Sequence, residues 1–156
     1  MSFRVENRLG VTAPSEIIWE VISDLPKWSE WNPLYTHAQG EIGFGKKLTL
    51  TLQLPGYPPE TITPVVASWT PEELLHWQMS MSGGFLRSTR YLEIHRLSDT
   101  GCIFSNGEAF KGIAAMFFPR KMKRALRKGF ADLGEAVKAR SEALWHERGG
   151  NPTSQG

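Results

Sequence analysis

The chain reads as an α+β domain: a curved antiparallel sheet of six to seven strands gripping a long C-terminal helix, with two short helices after the first strand. Three observations carry that expectation. Apolar residues recur at every second position through about residues 36–112. Helical spacing flanks this region, briefly before it and again from about residue 113 to 145. Turn-forming clusters, not helical crossovers, separate the alternating runs, so neighbouring strands should be antiparallel.

Phe3, Val5, Leu9 and Val11 share one face, interrupted by Asn7, and define a first strand. Pro14 suits the first turn of a helix, where a missing N–H costs nothing, and Glu16 suits its positive end. Ile18, Val21, Ile22 and Leu25 follow at helical spacing until Pro26 stops the run. PKWSEWNPLY, residues 26–35, is too broken for a long helix and reads as one short second helix. Leu48, Leu50, Leu52 and Leu54 alternate with polar residues in a half-buried strand, and PGYPP at 55–59 is a turn. Thr61 to Trp69 is β-branched and reads as one strand.

Leu75, Trp77, Met79 and Met81 line a face of the next strand, which Gly83-Gly84 breaks. Arg90, Leu92 and Ile94 share a face in the strand ending at the turn 98–101. Cys102, Phe104, Asn106, Glu108 and Phe110 share a face in the last. Met122, Leu126, Phe130, Leu133, Val137 and Leu144 form the stripe of the long helix, with Pro119 either starting it or kinking its first turn.

Bulk properties narrow the function. A chain of 156 residues is most simply one domain, here 1–148, with a polar, breaker-rich tail at 149–156 expected to be disordered. The net charge of +2 implies no polyanionic partner, and without a recognition motif nucleic acid is not expected. The single cysteine, Cys102, excludes an internal disulfide and reads as a packed thiol. The N-terminus carries charges where a signal peptide needs an apolar core. No run approaches the roughly 18 apolar residues of a membrane span. The expected location is the cytoplasm. His37, His76, His95 and His146 are scattered without ligand spacing, so neither a metal nor a cofactor is expected.

A single helix covers only part of a concave sheet, which leaves room for a cavity. Trp28, Trp31 and Leu34 would close one end of it or plug it; Tyr35 reaches its mouth or packs on the surface. Arg90 and Glu108 lie on the apolar faces of their strands, where a lone charge is expensive. Pairs across the tight hairpin sum to about 199, which brings Arg90 beside Glu108. Two readings stay open: a pair that satisfies itself, or, with Asn106, a polar group that orients a ligand. Trp77, Met79, Leu92, Phe104 and Phe110 would form an apolar wall, a pattern that equally suits plain core. Glu108 is the candidate acid or base for any catalysis. PRKMKRALRK, residues 119–128, holds six basic residues. It is either a solvated helix face or, with Met116, Phe117 and Phe118, a weak contact for a membrane surface or an acidic protein.

APSEIIWEVISDLPKWSEWNP at 13–33, ELLHW at 73–77 and GCIFSNGEAFKGIAAMFF at 101–118 resemble the START-like, helix-grip superfamily, also called SRPBCC. Its members include pollen allergens, lipid-transfer domains and the polyketide cyclase/dehydrase group. The likeness spans roughly residues 3–145. It implies a cavity for a small hydrophobic molecule, whether lipid, polyketide, quinone or aromatic metabolite. Because the superfamily mixes carriers, cyclases and protein-binding modules, three functions stay open. They are ligand binding, cyclisation or dehydration using Glu108, and protein interaction with a cavity filled by its own side chains. Monomer and homodimer are both compatible with the sequence.

Overall fold

The computed structural model describes residues 2–150. The strand β1 (Ser2–Val11) leads into α1 (Ser15–Ser23), a 3-10 turn at Leu25–Lys27 and the single turn α2 (Trp28–Trp31). Strands β2 (Tyr35–Gly40), β3 (Leu48–Leu52), β4 (Glu60–Ile62) and β5 (Val65–Thr70) follow. Next come β6 (Leu74–Met81), β7 (Leu86–Ser98) and β8 (Gly101–Lys111). A 3-10 turn at Ile113–Phe117 then precedes the long helix α3 (Arg120–Glu147). The α+β grip architecture is as the sequence implies. The tail beyond Gly150 lies outside the described residues.

The strands form two sheets, one of five strands in the order β1-β8-β7-β6-β5 and one of three in the order β2-β3-β4. The single sheet of six to seven strands is therefore divided. Thr61 to Trp69, expected as one strand, is broken at Pro64, which has no N–H to continue a ladder. The Pro64 carbonyl instead accepts a hydrogen bond from Leu48 at 2.9 Å. Upstream of it Glu60–Ile62 joins β3, and downstream Val65–Thr70 joins β6. One bridge, Lys47 to Val65, links the two sheets.

The stripe of α3 is buried against the sheets through Leu126, Phe130, Leu133 and Val137. Two glycines let the helix come close. A Cβ on Gly129 would stand 2.9 Å from Leu34 Cδ1, and one on Gly134 would stand 2.3 Å from Asn7 Oδ1. Asn7, the interruption in the first strand's apolar face, thus marks where β1 meets the helix. Pro119 starts α3 rather than kinking it, so the helix begins at Arg120 and residues 113–117 form a separate turn.

The aromatic segment reaches the core through Trp28, Leu34 and Tyr35, while Trp31 is half-buried. Trp28 is fully buried, with its ring 5.6 Å from Tyr35, 6.3 Å from Trp77 and 6.5 Å from Trp31. Asn32 fixes the exit: its Oδ1 accepts the backbone N–H of Leu34 at 3.0 Å and of Tyr35 at 2.8 Å. This side-chain turn aims Leu34 and Tyr35 inward at the start of β2.

Candidate functional site

The hairpin of β7 and β8 sets the site. Its register runs from Arg87 opposite Lys111 to Arg96 opposite Cys102, with an irregularity before the last pair, Ser98 and Gly101. That shift moves every earlier pair by one residue from the register a tight turn would give. It places Arg90 directly opposite Glu108. Both are inside the molecule: Arg90 is 4% exposed and Glu108 0%.

Arg90 Nε lies 2.9 Å from Glu108 Oε2, an ion pair not aligned as a hydrogen bond. Arg90 occupies Oε2, while Glu108 Oε1 has no partner among the described residues. Arg90 Nη1 donates to the Tyr35 hydroxyl at 3.2 Å, and its guanidinium sits 5.7 Å from the Tyr35 ring centre and 6.0 Å from that of Phe130. Burial works against the Arg90 charge, but Glu108 and then Tyr35 outweigh it and hold the guanidinium above its ordinary range. Burial likewise pushes the Tyr35 hydroxyl up, as does Glu108, against the pull of Arg90.

A cavity of about 580 Å³ opens over this pair. It exists because the sheets diverge: β5 begins at Val65 opposite Gln78, so Met79 and Ser80 of β6 have no partner on that side. Its floor is Arg90, Glu108, Phe110 and Leu126, its far wall Leu52 and Leu54, and its helix side Phe118 and Met122. Glu60, Thr61, Gln78 and Ser80 line it as exposed side chains and form the mouth. The chain's own side chains therefore do not fill the space, as the interaction-module reading requires.

Of the residues singled out in the sequence, Met79, Arg90, Glu108 and Phe110 line this cavity. Trp77, Leu92 and Phe104 are packed in the core, and so are Trp28 and Leu34, which neither close nor plug it. Trp31 is half-buried beside a shallow surface hollow with Val21 and Leu144. Asn106 is not beside a ligand space. Its Nδ2 donates to the Phe130 carbonyl at 3.0 Å and so ties α3 to β8. Sequence reasoning missed Leu52, Leu54, Leu126, Phe118 and Met122 as lining residues. Leu52 and Leu54 carried the right alternation, but nothing in it shows which strand they oppose. Cys102 is a packed thiol, buried and 3.5 Å from the Ala13 carbonyl, and burial raises it above its ordinary value.

A larger hollow of about 800 Å³ lies among charged side chains that include Glu6, Arg8, Glu72 and Glu93. Several polar groups there satisfy one another. Tyr91 donates to Glu6, and His76 Nε2 meets Glu93 Oε2 at 2.7 Å. The smaller cavity is the better site because it joins apolar walls to a buried carboxylate with one oxygen free. No helix among the described residues is long and apolar enough to cross a membrane.

Comparison with known proteins agrees with this fold. A family model described as polyketide cyclase / dehydrase and lipid transport matches residues 2–138. Among curated proteins, none matches the chain. The Zhui aromatase/cyclase from Streptomyces sp. R1128 is 17% identical, covering 97% of this chain and 100% of its own, with a TM-score of 0.76. A START superfamily protein from Mycobacterium smegmatis is 16% identical over 90% of this chain and 98% of its own, at 0.71. A point mutant of norcoclaurine synthase from Thalictrum flavum, in complex with a transition-state analogue, is 15% identical over 94% and 97%, at 0.64. At these identities the likeness to solved structures is one of fold.

Proposed function

Since the chain belongs to the polyketide cyclase/dehydrase and lipid transport family, we propose that it binds a small hydrophobic molecule in the cavity between the two sheets and α3. One observation carries the reading. The Glu108 carboxylate is fully buried on the cavity floor, with Oε2 held by Arg90 and Oε1 left without a partner among the described residues. A buried carboxylate oxygen without a partner is costly, so a ligand hydroxyl or N–H donated to Glu108 Oε1 gains a charge-assisted bond. The apolar walls contribute the rest at roughly 25 cal/mol per Å² buried, before ordering costs. A volume near 580 Å³ suits a ligand of one to three fused rings or a short acyl chain with one polar end.

The test is to release bound molecules from the purified protein and compare native with denaturing mass spectra. A co-purifying hydrophobic compound with a donor group is the expected result. To cover an empty preparation, a phenolic probe such as 2-naphthol is titrated in. Failure of both to show saturable binding that Phe110→Trp weakens removes the reading.

The same free carboxylate oxygen favours a second reading, in which Glu108 takes or gives a proton during cyclisation or dehydration of the bound molecule. Glu108→Gln separates the two. It abolishes turnover and spares much of the binding if Glu108 is catalytic, whereas a carrier shows altered affinity alone.

A further inference from the structure

The first turns of α3 and the turn before it carry a feature the cavity does not use. Four large apolar side chains stand in solvent on that turn and the neighbouring β6–β7 connection: Phe85 is 63% exposed, Ile113 66%, Met116 61% and Phe117 77%. They belong to one patch. Ala114 N–H donates to the Phe85 carbonyl at 3.1 Å. Gly112, at φ 117°, turns so close to the same carbonyl that a Cβ would stand 2.3 Å from it. The β6–β7 connection and the Ile113–Phe117 turn are thereby held side by side.

Beside this apolar patch the charge is of one sign. Residues 109–131 contain no acidic residue, while Lys111 and six residues between 120 and 128 are basic. Arg120, Arg124, Arg127 and Lys128 recur at three- and four-residue steps, on the face opposite the buried Ala125, Leu126 and Gly129. No salt bridge among the described residues engages Arg120, Lys121, Lys123, Arg124 or Arg127. The first turn of α3 holds no acidic residue, so cations crowd the positive end of the helix dipole. That repulsion, screened in part by salt, falls further when anions from elsewhere cover the face.

An anionic partner for the helix must also receive Phe117, Met116, Ile113 and Phe85. A lipid interface offers both, with headgroup phosphates over an acyl boundary into which apolar side chains insert. We propose that this face docks on the surface of an anionic bilayer. The exposed apolar side chains enter the headgroup boundary, and the basic face of α3 lies over the lipid charges. The next residue after Phe117 is Phe118, which lines the cavity, so the docked surface adjoins the helix side of the cavity. The docking stands on the patch alone and does not depend on what the cavity holds.

Flotation of the full chain with phosphatidylcholine vesicles, with and without about 30% phosphatidylserine, tests it. Binding should be about tenfold or more stronger to the anionic vesicles and should weaken as salt is raised. Two variants built on exposed side chains, Arg120→Glu/Arg124→Glu/Arg127→Glu and Met116→Ser/Phe117→Ser, should each lose about tenfold with circular dichroism unchanged. A polarity-sensitive dye on Phe117→Cys should shift to the blue on anionic vesicles; Cys102 is buried and out of the label's reach. Equal binding to both vesicle types, binding to neither, or full binding by the charge-reversed variant overturns the proposal. So does loss by charge reversal with none from Met116→Ser/Phe117→Ser and no dye shift, which would assign the face to an acidic protein instead.

Discussion

Tyr35 accepts a hydrogen bond from Arg90 Nη1 at 3.2 Å, so the aromatic segment supports the charged floor of the cavity from behind. Trp28 and Trp77 fix the Tyr35 ring in turn, at 5.6 and 5.5 Å between ring centres. The tryptophans thus act on the site at one remove, through Tyr35.

The Arg90–Glu108 pair should behave as a unit. Glu108→Ala leaves a buried guanidinium without its counter-charge and should cost about 3–5 kcal/mol in urea unfolding. Arg90→Met with Glu108→Leu removes both charges and should recover most of that loss. Should the double variant be as unstable as the two single losses summed, the pair is not coupled and its place in the site falls.

Tyr35→Phe removes the acceptor for a charged donor and should cost about 1.5–3 kcal/mol at neutral pH. It also carries a pH signature. Burial, then Glu108, holds the Tyr35 hydroxyl above its ordinary value of 10.0. Above about pH 10 the unfolded chain releases a proton that the folded protein keeps, so stability should fall with rising pH. Below pH 10 the contribution is intact. Tyr91, raised by burial and by its bond to Glu6, and Cys102, raised by burial, act in the same direction, so the loss has three sources. Tyr35→Phe should flatten part of the alkaline decline. Identical slopes in variant and parent would show that Tyr35 is not protected by the fold.

Filling the cavity should separate binding from stability. Met79 is half-buried on the cavity wall, and Met79→Trp places a larger ring in the empty space. Affinity for a hydrophobic probe should drop more than about tenfold, with the melting temperature unchanged or higher because no packed core is forced open. A probe that still binds with parental affinity would have to sit elsewhere.

Gly134→Ala sets two effects against each other. Alanine gains about 1 kcal/mol of helix propensity. Its Cβ would stand 2.3 Å from Asn7 Oδ1 and 3.0 Å from Leu9 Cδ2, and overpacking of this kind costs about 1–3 kcal/mol. The variant should therefore be less stable by chemical denaturation. A gain would mean that α3 can move off β1 at little cost.

The hairpin was legible because alternation fixes which residues share a face. The expected register was one residue off, owing to the irregularity between Arg96 and Ser98, yet Arg90 still met Glu108. The aromatic segment was not legible in the same way. Residues 26–35 have no period, so composition shows that Trp28 must pack but not against what. Asn106 misled because an inward polar side chain looks the same whether it meets a ligand or a helix carbonyl. The divided sheet turns on Pro64, whose missing N–H is visible in the sequence while the separate partners of β4 and β5 are not. The cavity is the space those partners leave.

The pairing of β1 with β8 also governs how the chain can be made. Val5 lies opposite Glu108 and Ser2 opposite Lys111, so β1 finds its ladder only after β8 has been synthesised. At ribosomal rates of about 5–20 residues per second, β1 waits on the order of ten seconds with its apolar face uncovered. Closing so long a loop makes this a high-contact-order step, and slow folding with early exposure to chaperones is the expected cost of that strand order.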